Sequence, residues 1–211
     1  MGLIIDKTVN NHCRLGIWKI QESYNELFSK LDLHQEDAAI LKSFKNHQRK
    51  LEWMSVRALL NTLTNKNNSI VYNGNRKPFL DDNSYHISIS HSFHYASVLI
   101  STHCNVGIDI EKIQPKIMHI AEKFMNKKEL QHIGSEKKIY HLYLHWCAKE
   151  ALYKMFDKKD IYFKKNIIIE PFIPQDEGTI IGKVKTPEIN ENIRLHYFHI
   201  NNYSIVWGCK Y

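Results

Sequence analysis

Residues 106–113, VGIDIEKI, place two carboxylates, Asp109 and Glu111, in a run otherwise dominated by Val, Gly and Ile. A strand alternates its side chains, so both acids project from one face, roughly 7 Å apart, while Ile108 and Ile110 point the other way. Two such charges repel unless a cation sits near them, and paired oxygen donors suit Mg²⁺ or Mn²⁺. A strand whose acidic face meets solvent explains the pattern equally well.

Three further stretches carry reactive residue types. HLYLHWCAKEALYKMF (141–156) is helical in pattern, with Trp146, Glu150 and Lys154 at i, i+4, i+8 on one face and Lys149 beside Glu150. Taken alone it is a surface Glu–Lys pair. His141 and His145 have the spacing of a zinc helix but lack its glutamate, because Leu142 follows His141. SISHS (88–92) sets Ser90 and His91 at a strand end, a combination better suited to holding an anion than to nucleophilic attack. NGNRKPFL (73–80) puts Arg76 and Lys77 on a turn, as phosphate contacts or as solvated loop residues.

These segments need elements to position them. RLGIWKI (14–20) reads as a strand, and 36–64 as one long helix or two consecutive ones, ended by NKNNS. YNGNRKPFLDDNSY (72–85) is expected to be a turn-rich loop. HISIS, YASVLIS and VGIDIE follow as strands whose short links suit antiparallel hairpins or a meander. After Pro115, 117–156 reads as helical, a first piece around AEKFMNKKELQHI and then EKKIYHLYLHWCAKEALYKMF, and NIIIE, GTIIGKV, IRLHYFHI and YSIVWGC close the chain as strands. The expected class is α+β, in two similar halves, 1–105 and 106–211.

The 211 residues suffice for one large domain or two small ones with a real core. No apolar run approaches the length of a membrane span, and the N-terminus lacks the marks of a signal peptide, so a cytoplasmic protein is the expectation. Cys13, Cys104, Cys147 and Cys209 are scattered, which suits thiols better than a disulfide framework or a zinc site. The net charge of +7 calls for a negatively charged partner. Five Arg among 29 basic residues make a base-reading nucleic-acid protein the weaker choice.

Taken in order, RKLEWMSVRALL, NRKPFL, ISISHS, VGIDIEKI and WCAKEALYK resemble the 4′-phosphopantetheinyl transferase superfamily, of the type that activates surfactin synthetase. The resemblance implies two pseudo-symmetric α+β halves with coenzyme A in the cleft between them. It implies transfer of the phosphopantetheine arm to a serine of an apo acyl or peptidyl carrier protein, releasing adenosine 3′,5′-bisphosphate. By motif, Asp109, Glu111 and Glu150 would hold Mg²⁺, and Glu150 would also serve as general base. Lys154, with Lys149 beside it, would contact the pyrophosphate; Ser90 and His91 a phosphate; Lys77 the nucleotide. Arg57, and more weakly Arg49, would be further phosphate contacts. Lysines 123, 127, 128, 137 and 138 would steer an acidic carrier protein, and a monomer is implied because both halves lie in one chain. A non-catalytic coenzyme A or carrier-protein binding module of the same fold is the alternative. Two family glycines are replaced, by Arg76 before Lys77 and by Phe93 after Ser-His-Ser.

Overall fold

The computed structural model describes residues 2–10, 12–158 and 160–210. The chain opens with a hairpin, β1 (Leu3–Asn10) and β2 (Cys13–Lys19). Three helices follow: α1 (Tyr24–Phe28), α2 (Gln35–Ser43) and α3 (His47–Thr64). Asn46 caps α3 by accepting from the Arg49 N–H, and Asn65 ends it in the left-handed conformation that asparagine tolerates. Next come β3 (Ile70–Tyr72), β4 (Pro78–Leu80), β5 (His86–Ser92), β6 (Tyr95–Ser101) and β7 (Asn105–Lys112). A 3₁₀ turn (Pro115–His119), α4 (Ala121–Phe124) and α5 (Lys127–Gln131) lead to the 19-residue α6 (Lys138–Phe156). The chain ends with α7 (Phe163–Asn166), β8 (Ile167–Ile169), β9 (Glu177–Lys185), β10 (Asn190–Ile200) and β11 (Tyr203–Lys210).

Two antiparallel sheets form the centre, ordered β1-β2-β6-β5 and β7-β11-β10-β9-β8. Alternation along the strands divides their side chains. Leu15, Ile17 and Leu99 of the first sheet meet Ile108, Ile110 and Ile205 of the second in a core between the sheets. The other faces bury against helices: Trp18, Val98 and Ile100 under Leu59, Leu60 and Leu63 of α3, and Val206, Leu195 and Ile180 under Leu144, Leu152 and Met155 of α6. The result is four layers, helix, sheet, sheet, helix. Within it β2-β6-β5 with α3 and β7-β11-β10 with α6 share one topology, consistent with pseudo-symmetric halves.

Three expectations change. Residues 72–85 are not all loop, because β3 and β4 pair as a small hairpin around the Asn73–Lys77 turn. The strands from 86 to 112 do not form one meander: β5 and β6 pair, but β7 leaves for the second sheet and pairs with β11. The first helical piece after Pro115, 121–133, breaks in two, since Asn126 starts a new helix with its own capping box. The opening strand β1, which lies in a segment read above only for targeting signals, adds an edge to the first sheet.

Candidate active site

β7 is the edge of its sheet, so half of its backbone groups need partners from outside the ladder. β5 supplies them through side chains. The Ser88 hydroxyl accepts from the Ile108 N–H at 3.0 Å, and that of Ser92 accepts from the Lys112 N–H at 3.2 Å. The same serine face reaches the two acids: Ser90 donates to Asp109 at 2.8 Å and Ser92 to Glu111 at 3.0 Å. Partners rise together along both strands, so β5 and β7 run in the same direction, joined by hydroxyls. The alternating serines of SISHS thus fasten the two sheets at the point where the acids stand.

Gly107 sets the distance to the covering helix. A Cβ there would lie 2.0 Å from the Ala151 carbonyl oxygen, so only glycine lets α6 settle this closely on β7. The close approach brings Glu150 and Lys154 to Asp109. The Lys154 ammonium donates to Asp109 Oδ1 at 2.7 Å and to the Ile108 carbonyl at 3.0 Å. Asp109 Oδ2 is buried with no hydrogen-bond partner.

Burial, then repulsion from Asp109, raises the Glu111 carboxyl above its ordinary value, against hydrogen bonds from Ser92 and Trp146. Burial and the Asp109 charge push Glu150 further, up to about 7, with Lys154 opposing. Glu111 and Glu150, each raised in part by the charge of Asp109, form with it an electrostatic cluster short of positive charge. Oxygen donors of this kind fit a hard divalent cation. Among the described residues, no three His, Cys, Asp or Glu side chains are disposed as a closed metal cluster.

Beside the acids opens a cavity of about 340 Å³ between β4, β5, the start of α3 and the end of α6. Its walls carry Arg49, Arg76, Lys77, His91, Lys154 and Lys158, a strongly cationic set that suits a polyanion. Lys77 is held by a turn that Asn73 and Asn75 brace against Asp157, and burial lowers its ammonium pKa. Arg76 and Phe93 keep the left-handed backbone, with φ of 63° and 50°, that glycine adopts without strain.

Of the residues singled out from the sequence, Asp109, Glu111, Glu150, Lys154, Ser90, His91 and Lys77 lie at the carboxylate cluster or along the cavity beside it. Arg57 and Lys149 do not line the cavity. Arg57 is buried, bonded to Asp37 at 2.8 Å and stacked 3.2 Å over the Trp53 ring. Lys149 has no solvent exposure; it pairs with Glu129 at 2.8 Å and donates to the carbonyls of Phe163 and Ile167. Each cation is already matched inside its own half.

Sequence reasoning missed Glu52. Its carboxylate lies 3.1 Å from His91 Nδ1 and 3.7 Å from Arg49, while Arg49 reaches His91 Nε2. The one available signal was Arg49 and Glu52 three apart on a helix, which says nothing of a histidine 39 positions away on β5.

Comparison with known proteins bears on this arrangement. Residues 105–206 match the profile of the 4′-phosphopantetheinyl transferase superfamily. The chain is 34% identical over 105 residues to the 4′-phosphopantetheinyl transferase gsp of Aneurinibacillus migulanus, covering 47% of this chain and 44% of that protein. It is 35% identical over 89 residues to the transferase ffp of Bacillus subtilis and 36% over 90 residues to psf-1 of Bacillus pumilus, in each case spanning 38% of the relative.

Proposed function

We propose that this chain, whose residues 105–206 match the profile of the 4′-phosphopantetheinyl transferase superfamily, transfers the phosphopantetheine arm of coenzyme A to a serine of an apo acyl or peptidyl carrier protein. The observation that carries the reading is one juxtaposition: three mutually repelling carboxylates, Asp109, Glu111 and Glu150, beside a cavity walled by cations.

Asp109, Glu111 and Glu150 would hold Mg²⁺ or Mn²⁺; the unpartnered Asp109 Oδ2 and the raised carboxyls are what such an ion would relieve. The ion would supply charge stabilisation on the pyrophosphate oxygens. Lys154, at the junction of cluster and cavity, would neutralise the pyrophosphate, and Arg49, Arg76, Lys77 and His91 would hold the nucleotide's other phosphate and fix its orientation. Glu150 would take the proton of the attacking serine hydroxyl. That oxygen would bond to the phosphorus bearing the pantetheine arm, and the pyrophosphate P–O bond would break to release adenosine 3′,5′-bisphosphate. All these groups come from one chain, which supports action as a monomer. No helix among the described residues is long and apolar enough to cross a membrane.

The test is a panel of apo carrier proteins incubated with coenzyme A and Mg²⁺ and read by mass shift. Wild-type protein should label at least one carrier, and chelation should stop it. Asp109→Ala and Glu150→Gln should each slow labelling about 10²- to 10⁴-fold. Coenzyme A binding with no labelling of any carrier would leave only a binding module of the same fold.

A further inference from the structure

We propose that Cys13 and Cys209 form a reversible intramolecular disulfide that ties the first sheet to the second. Cys13 opens β2, and Cys209 sits near the end of β11, 196 positions later. Their sulfurs lie 2.7 Å apart, inside the roughly 3.5–4 Å of ordinary packing contact. Cys13 belongs to the packed core between the sheets, and Cys209 packs against that core from its edge.

The surroundings favour a thiolate at Cys13, the second to attack. The Cys209 contact, and weaker hydrogen bonds from Ser101 and Cys104, hold the Cys13 thiol below its ordinary pKa despite burial. Cys13 itself is 1% exposed, whereas Cys209 is half-buried, so reagents enter at Cys209. Cys147 sits apart, on the buried face of α6, where burial drives its thiol pKa up.

The oxidant is a low-molecular-weight disulfide. The Cys209 thiolate attacks one of its sulfurs, forming a mixed disulfide and releasing one thiolate. The Cys13 thiolate then attacks the Cys209 sulfur, closing the protein disulfide and releasing the second thiolate. Both protein thiol protons end on the two released small thiols, and excess dithiol runs the sequence backwards. Cys209 pairs with Val106 on β7, at the opposite end of that strand from Glu111, so the bridge leaves the carboxylates in place.

The experiment treats the full chain with oxidised glutathione and maps peptides without reduction, alongside the midpoint of thermal unfolding. Expected are a Cys13–Cys209 linked peptide with loss of two hydrogens, and a midpoint about 5 °C or more higher, because closing so long a loop restricts the unfolded chain. Dithiothreitol should reverse both. Cys209→Ser should abolish the link, and Cys104→Ser should leave it intact. Glutathione retained on Cys209, a Cys13–Cys104 link, no reaction, or a link without a rise in midpoint would each overturn the proposal. None of these readouts depends on coenzyme A or on a carrier protein.

Discussion

The helices α3 and α6 cover equivalent sheets and are built to the same internal plan, yet only α6 delivers groups to the carboxylate cluster. On α3, Arg57 is buried and paired with Asp37, 20 residues before it; on α6, Lys149 is buried and paired with Glu129, again 20 residues before it. Two and six positions further along, Leu59 and Leu63 press on Gly16 of β2, as Ala151 and Met155 press on Gly107 of β7. The residue after the buried cation marks the divergence. It is Ala58 on α3, packed in the core, and Glu150 on α6, facing the acids of β7. Five positions after the cation stand Thr62 and Lys154. The anchoring of each helix is thus common to both halves, and the chemistry is an addition to one of them.

If the buried cations are anchors, their loss should cost stability and spare the cavity. Lys149→Met leaves the buried Glu129 without its cation, with hydrogen bonds among the described residues from the N–H groups of Asn126 and Ile169. Removing one partner of such a pair costs about 3–5 kcal/mol. Arg57→Met should cost a similar amount, including the lost stacking on Trp53. Urea unfolding checks both. Coenzyme A affinity per folded molecule should not change in either variant, and a tenfold loss in Lys149→Met would show instead that this lysine serves the cofactor.

Glu150 should give the C-terminal half a pH dependence that Ala58 cannot give its counterpart. The folded protein keeps the Glu150 proton up to about pH 7, while the unfolded chain releases it near 4.5. Between those values the native state binds more protons, so stability falls as pH rises through the window and stays lowered above it. The loss amounts to about 3 kcal/mol. Glu150→Gln should therefore stabilise the metal-free protein above pH 7 and change little at pH 4. Denaturant titrations at the two pH values, with chelator present, measure the difference.

Much of this was legible from the sequence because it depends on local pattern. Alternation placed Asp109 and Glu111 on one face, and helical spacing placed Glu150 and Lys154 together. What pattern could not show was which neighbour each charge meets. Lys149 and Lys154 are both lysines on one helix, five positions apart, yet one turns into the Glu129 pocket and the other toward Asp109. The same limit hid Glu52, whose partner lies on β5, and the serine fastening between β5 and β7. Short links suggested that β5, β6 and β7 would pair in sequence. The decisive interaction is instead side chain to backbone, between strands in different sheets. His141 and His145 likewise show helical spacing, but they are buried with their rings against Phe172.

The paired glycines separate the halves by what a methyl group would strike. At Gly107 it meets backbone of α6, 2.0 Å from the Ala151 oxygen; at Gly16 it meets leucine methyls at 2.7 and 2.9 Å. Side-chain ends can rotate aside, whereas a helix backbone moves only as a unit. Gly107→Ala should cost about 3 kcal/mol and lift Glu150 and Lys154 from Asp109, weakening catalysis in the protein that still folds. Gly16→Ala should cost about 1 kcal/mol and leave activity alone. Equal losses would mean that α6 rides on β7 no more tightly than α3 on β2.

The smallest contrast lies in the two matched hairpin turns. Phe93 joins β5 to β6 and Asn201 joins β10 to β11, each two residues before a strand-opening tyrosine, and each has φ of 50°. Those tyrosines, Tyr95 and Tyr203, pack edge to face at 4.6 Å, so the two turns lie close together. Asparagine tolerates the left-handed conformation, whereas a bulky residue there costs roughly 1–2 kcal/mol. Against that cost Phe93 gains little: its ring is 43% exposed and takes the Lys112 ammonium at 4.9 Å, a contact worth about 0.5–1 kcal/mol at an exposed site. Strain outweighs the contact, so Phe93→Asn should stabilise the protein by about 0.5 kcal/mol in chemical denaturation. A loss of stability would show that the Phe93 ring contributes more than its exposure suggests. The site-bearing half of the comparison would then extend from α6 to the β5–β6 turn.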